Sequence, residues 1–228
     1  MYDEGRNLVG ISAIVCDIGE RRARERHIEF LMREVSHRSK NLLAVVQAIA
    51  GQTALHSVNL DEFQPRFAER IAAMARSQDL LVGSNWTGAS VADLVRTQLA
   101  PFAETAFSRI DMTGPHLELK PNAVHSLTLA LQELATNAAK YGALSVPEGR
   151  LTVGWAVSAP GTEMARFNMR WCEHRGPPVA PPARKGFGHV VIAEMVGSSL
   201  HGHVTLEYAR EGLRWILDAP TSSVIGEG

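Results

Sequence analysis

The sequence predicts an α+β protein: a helical hairpin followed by an α/β sandwich. Three observations carry this reading. Apolar residues recur at helical period in two runs through the first third of the chain, separated by a polar break. Short β-prone runs bounded by Gly and Pro fill the last part. Between them lies a helix that is apolar on one side and charged on the other. The organisation expected is a strand and linker at 1–21, the hairpin at 22–84, the sandwich at 85–220 and a tail at 221–228.

Leu8 to Ile18 is β-prone and leads into Arg21 to His27, a charged run of helical character without a breaker, so a strand feeds a helix. Along that helix Ile28, Leu31, Val35, Leu42, Val45, Val46 and Ile49 share one arc. Gly51 and the polar stretch His56 to Asp61 interrupt the pattern. A second amphipathic segment, Asp61 to Leu81, carries Phe63, Phe67, Ile71, Met74 and Leu81. Two helices cannot enclose a core alone, and a four-helix dimer bundle is the simplest closure. Val82 to Gly88 reads as the boundary to a second domain.

That domain reads as a helix (Val91 to Phe102), a strand (Arg109 to Met112), a long helix, and strands at Leu151 to Val157 and Ala165 to Trp171. A Pro-rich loop, Gly176 to Pro182, precedes Gly186-Phe187-Gly188, a helix from His189 to Leu200, and strands at His203 to Tyr208 and Leu213 to Leu217. Helices on one face of a mixed sheet are expected. Thr221 to Gly228 is expected to fray.

Composition narrows the function. In 228 residues, 45% are apolar, and 23 Lys and Arg nearly balance 24 Asp and Glu. No broad cationic field marks nucleic acid or an anionic membrane as the partner, so any phosphate chemistry has to be local. Gly10 to Cys16 and Val190 to Val196 are too short to span a bilayer, and Met1 is not followed by a secretory apolar region, which predicts a cytoplasmic chain. Cys16 and Cys172 lack the spacing of a disulfide framework or a zinc site and read as ordinary thiols.

Four segments carry chemistry. In Glu133 to Ala143, a rotation of about 100° per residue gathers Val124, Leu127, Leu131, Leu134 and Ala138 on one side and projects Glu133, Asn137 and Lys140 from the other. An amide oxygen, an ammonium and a carboxylate on one wall suit a magnesium-bound triphosphate. An amphipathic surface helix with a merely wet polar face is the plainer alternative. His37 lies opposite the apolar stripe of the first helix and is expected to be exposed, with Arg38, Lys40 and Asn41 beside it. With a reference pKa of about 6.5, an imidazole there offers an unprotonated nitrogen as a nucleophile, and its neighbours can steady a phosphoryl group, a merely solvated histidine on a polar helix face being the plainer alternative. Gly186-Phe187-Gly188 lets backbone N-H groups approach phosphate oxygens, and Glu173 leaves the sheet where ligand crevices form. Ordinary turn glycines and an exposed strand-end glutamate are the plain readings of these two. His125, His174, His189, His201 and His203 form no triad or metal pattern.

Together these segments resemble the HWE subgroup of sensor histidine kinases, over Glu29 to Pro220. Ser36 to Asn41 resembles the phosphoacceptor box, Glu133 to Ser145 the N-box, Trp171-x-Glu173 the W-x-E element and Gly186-Phe187-Gly188 the second glycine box. The resemblance implies a dimerisation and histidine-phosphotransfer hairpin and an ATP-binding domain of the histidine kinase, gyrase and Hsp90 type. By it His37 is the phosphorylated residue, Asn137 the magnesium ligand, Lys140 a phosphate contact, Glu133 a base or water-orienting group and Glu173 part of the adenine pocket. Tyr141, Gly186, Phe187 and Gly188 complete the ATP site. ATP and Mg2+ are the implied cofactors, and a response regulator with a receiver domain and a second copy of the chain are the implied partners. The first residues, through Asp17-Ile18-Gly19-Glu20-Arg21, resemble the end of a PAS domain, which makes the chain a fragment or an unusually short kinase. Gln132 replaces the name-giving histidine, and Arg175 replaces the first of two glycines after W-x-E. Gln132 retains hydrogen bonding but cannot titrate near neutrality, and Arg175 removes backbone freedom. A phosphotransfer scaffold with a degenerate ATP domain is the alternative reading, and an anti-sigma type serine kinase ranks behind it.

Overall fold

Helix α1 runs without a break from Gly19 to Leu55, and α2 follows over Leu60–Gly83. The computed structural model describes residues 19–84, 86–102, 107–180 and 186–226. The strand expected at Leu8 to Ile18, with Cys16, lies outside them. Two compact units result, residues 1–48 and residues 49–228.

In the first unit, Ile28 and Val35 of the expected apolar stripe of α1 are 57% and 59% exposed, while Leu42, Val45 and Val46 are half-buried. The backbone at His37 is helical, but the side chains of Leu31, His37 and Arg38 are outside those described. Lys40 and Asn41 are exposed.

The second unit begins where the stripe becomes buried, at Ile49. The start of α2 is fixed locally. Asn59 caps it, its Oδ1 accepting from the Glu62 N-H at 2.9 Å, while the Glu62 carboxylate accepts from the Val58 N-H at 2.8 Å. After the turn come β1 (Ala89–Ser90), α3 (Val91–Leu99), β2 (Ile110–Thr113), β3 (Glu118–Leu119) and α4 (Pro121–Lys140). Proline at the first position of α4 lacks only an N-H that would find no partner there. The predicted helix to Phe102 changes to a 3-10 turn at Ala100–Phe102, because Pro101 cannot continue the α ladder.

The main sheet has the order β2-β4-β5-β7-β6, with β4 at Arg150–Ser158, β5 at Arg166–His174, β6 at His203–Ala209 and β7 at Gly212–Pro220. Only β2 and β4 pair parallel, so the sheet is mixed as expected. Period-two alternation turns Leu151, Val153 and Trp155 of β4, Phe167, Met169 and Trp171 of β5, and Leu213, Trp215 and Leu217 of β7 into the core. Helix α4 supplies the facing layer, with Val124, Leu127, Leu131, Leu134 and Ala138 all buried. Helices α2 and α3 pack on α4. The last helix, α5, spans residues 187–199 as α turns Phe187–Val190 and Val196–Ser199 around a π turn Val191–Met195. Trp215 Nε1 donates to the Ile192 carbonyl at 2.7 Å, satisfying an acceptor within that turn.

Further features differ from expectation. An antiparallel ribbon of β1 and β3 was not foreseen, being two residues per strand. The end of the chain does not fray: Thr221–Val224 forms a helical turn, Val224 is fully buried, and its carbonyl accepts from the Lys120 N-H at 2.8 Å. The Gly226 N-H then donates to the Glu118 carbonyl at 2.9 Å. A polar Thr-Ser-Ser run reads locally as a loop, but burial of Val224 beneath the start of α4 overrides that preference. Val224→Ala is therefore expected to lower the unfolding free energy by roughly 2 kcal/mol, against at most about 0.5 kcal/mol for a solvated tail. Denaturant titration of the two proteins distinguishes these outcomes.

Candidate nucleotide site

The polar side of α4 faces a cavity of about 520 Å³. Glu133, Asn137 and Lys140 line it with Gln132 and Thr136. Its other walls are Tyr141 and Gly142 after the helix, Glu173 at the end of β5, Gly186, Phe187 and Gly188 at the start of α5, and Arg66, Glu69 and Arg70 of α2. The site residues expected from the N-box, the W-x-E element and the second glycine box thus converge on one place. The volume falls in the range of small-molecule sites, about 300–1,000 Å³.

Glu173 is not the exposed strand-end carboxylate of the plain reading. It takes the next inward position after Phe167, Met169 and Trp171, and is only 3% exposed. Its Oε2 accepts from the Ala143 N-H at 2.8 Å and its Oε1 from Trp171 Nε1 at 3.1 Å. Burial pushes its pKa above the ordinary carboxylate value, and these two donors pull the other way. Glu173 thereby ties the turn after α4 to the sheet. Gly142 has to be glycine because a Cβ there would collide with the Glu173 carboxylate. At Gly188 a Cβ would stand 2.7 Å from Glu133 Oε2, so the glycine box lies close against the N-box side chains.

The two departures from the family pattern have different consequences. Gln132 is 6% exposed; its Nε2 donates to Thr136 Oγ1 at 3.1 Å and its Oε1 accepts from Arg76 at 3.4 Å. An amide satisfies both neighbours without a charge beside the guanidinium. Arg175 has φ of 56°, the left-handed region in which a glycine is unstrained. Its side chain is exposed.

Arg70 was missed by sequence reasoning. Its Nε donates to Glu133 Oε1 at 2.7 Å, its Nη1 donates to Thr53 Oγ1 at 2.9 Å, and its guanidinium lies over the Phe187 ring at 3.8 Å. The signal for it was a charge at a stripe position: residue 70 follows Phe63 and Phe67 at helical spacing and precedes Met74. His56 was missed likewise and meets the Phe187 ring edge-on at 6.3 Å. His37, Arg38, Lys40 and Asn41 belong to the first unit.

For a divalent cation the donor set is chemically apt. Magnesium bound to nucleotide takes most of its oxygens from phosphates and water and needs few from protein, and Asn137 offers an amide oxygen on the cavity wall. Among the described residues no group of three or more His, Cys, Asp or Glu side chains is arranged to hold a metal. Among them, too, no helix is long and apolar enough to cross a membrane.

Residues 34–116 match the family model of the HWE histidine kinases. A curated blue-light-activated histidine kinase of Brucella abortus (strain 2308) is 38% identical over 218 residues, which is 96% of this chain and 44% of that protein. The chain therefore spans under half the length of the curated relatives it matches. The histidine kinase domain of the EL346 blue-light activated histidine kinase of Erythrobacter litoralis superposes with a TM-score of 0.55 at 15% identity, covering 88% of this chain and 95% of that domain. A further structure of EL346 gives 0.58 at 14% identity, covering 94% and 63%. At such identities these two likenesses concern the fold.

The raised pKa of Glu173 has a measurable consequence. The folded state holds that proton more tightly than the unfolded chain, so the associated stability is complete below the ordinary carboxylate value and is lost as pH rises through the raised one. Unfolding free energies measured across this interval should fall for the wild type, and the Glu173→Gln variant should lack that fall. Identical pH profiles for the two proteins would remove Glu173 as its source.

Proposed function

Because the chain belongs to the HWE histidine kinases, we propose that it is an ATP-dependent protein-histidine kinase core that phosphorylates its own His37 and passes the phosphoryl group to an aspartate of a response-regulator receiver domain. The observation that carries this reading is the convergence of Glu133, Asn137, Lys140, Glu173 and the Gly186-Phe187-Gly188 turn on one cavity.

Each residue has a role that its chemistry supports. Lys140, at the exposed end of α4, neutralises phosphate charge. Asn137 gives an oxygen to magnesium, which when bound supplies charge neutralisation along the phosphates. Gly186 and Gly188 admit phosphate oxygens to the backbone, with Phe187 between them, and Glu133 accepts a proton or orients a water. Tyr141 and Glu173 border the end of the cavity assigned to the base. His37 uses a ring nitrogen as nucleophile: an N-P bond forms, the bond from the γ-phosphorus to the β-γ bridging oxygen breaks, and ADP leaves. Arg38, Lys40 and Asn41 steady the phosphoryl group on the hairpin, and catalysis is mainly positioning and charge neutralisation.

We also propose that the hairpin pairs with a second copy. Ile28, Met32, Val35 and Leu43 of α1 are between 57% and 67% exposed and recur at helical spacing, an apolar face that another α1 would cover. A Met32→Asp, Val35→Asp variant is expected to sediment as a monomer where the wild type sediments as a dimer. A wild type that is monomeric at all concentrations would remove this proposal.

Incubation with γ-labelled ATP and magnesium tests the kinase reading. The protein should acquire an acid-labile, base-stable label that EDTA prevents and His37→Gln abolishes. Label undiminished in His37→Gln, or stable to acid, would assign the phosphate elsewhere.

A further inference from the structure

We infer that α2 carries a charge-matched latch over the nucleotide site, in which Glu69 and Arg70 occupy the places of the phosphate anion and its cation. The inference rests on the nucleotide reading above. Two consecutive residues of α2 meet the two oppositely charged residues of the N-box helix. Glu69 Oε2 stands 3.9 Å from Lys140 Nζ, and Arg70 Nε donates to Glu133 Oε1 at 2.7 Å. Lys140 thus faces an anion where phosphate would bind, and Glu133 faces a cation where the nucleotide's metal ion would approach. The arrangement reproduces the charge order of the ligand from the protein's own side chains.

The two contacts differ in strength. Lys140 and Glu69 are about half exposed, at 51% and 48%, so water and salt screen them. Arg70 and Glu133 are 7% and 12% exposed, and the same guanidinium also grips Thr53 and covers Phe187. Arg70 therefore ties three parts together: the end of α1 through Thr53, the N-box helix through Glu133, and the glycine box through Phe187. A Glu133 oxygen directed at Arg70 is not free for a water or a hydroxyl, and Phe187 beneath a guanidinium is held in place. Thr53 fixes the clamp in turn, its hydroxyl donating to the Ile49 carbonyl at 2.5 Å. Nucleotide and latch compete for the same charges, so each must weaken the other by the same factor.

Titration calorimetry with Mg2+ and a non-hydrolysable ATP analogue tests this on the full chain. Arg70→Gln, which keeps a donor near Glu133 but no charge, should bind roughly tenfold more tightly than wild type, within the usual range of coupling between sites. Thr53→Val, which loosens the same arginine without touching the pocket, should shift affinity in the same direction by less, and it carries the test if Arg70→Gln does not fold. Unchanged or weaker binding in a folded variant, with the wild type binding, overturns the latch alone. No binding by either protein at millimolar concentration overturns the nucleotide reading and the latch with it. Hydrogen exchange without nucleotide supplies the readout that ordinary packing would not move: amides of residues 187–192 should exchange faster in Arg70→Gln while those of β5 do not. Faster exchange spread through β5 would mark Arg70 as a structural residue and overturn the inference.

Discussion

Burial of the leucine face of α4 against the sheet determines what its opposite face can present. Leu127, Leu131 and Leu134 are at most 1% exposed, and each such side chain contributes roughly 1.5–3 kcal/mol on leaving water. That energy sets the rotation of the helix about its axis. Glu133, Asn137 and Lys140 then point where the remaining surface lies, without any polar interaction having to aim them. A one-residue slip would turn the helix by about 100° and drive Leu134 into the cavity. The start of α4 is held by Pro121 and by the closing turn around Val224, so the helix is constrained beyond its own packing.

Its far end is held by a different force. Burying a carboxylate is costly unless its oxygens are paired, and Glu173 has the Ala143 N-H on one and the Trp171 indole on the other. The close approach requires glycine at 142, which explains how one strand-end residue and one residue after the helix depend on each other. The cavity opens between these two fixed points, helix face and strand end. One wall comes from the helix face and strand end, and the other from Phe187 to Gly188 and α2.

Periodicity made most of this legible. The apolar arcs of α1, α2 and α4 and the alternating strands follow from spacing, the sandwich follows from their order, and the N-box, W-x-E and glycine-box motifs follow from the family resemblance. The misses share a cause. Val224, the two-residue ribbon β1 and β3, and the π turn in α5 depend on what lies across the fold, and no local pattern encodes them. Glu173 was half legible: strand alternation places it inward with Trp171, but only its partners reveal a residue bound on both oxygens. Arg70 was visible as a charge within an apolar stripe, and the identity of its partner, 63 residues away, was not.

That charge is difficult to account for by stability alone. Replacing a buried ion pair with well-packed apolar side chains is often neutral or stabilising, because desolvation offsets most of the Coulomb attraction. A methionine or leucine at position 70 would continue the stripe of Phe63, Phe67 and Met74 and would still cover Phe187. What an apolar contact cannot do is exchange with a ligand made of charges. The guanidinium on Glu133 can give way to the metal cation that a nucleotide brings, which has the same sign, whereas leaving Glu133 bare would cost its desolvation. The pair is thus suited to a surface that must be occupied in both states of a binding equilibrium. The same reasoning assigns Glu69 a lesser part, since at half exposure Lys140 loses little when its carboxylate departs.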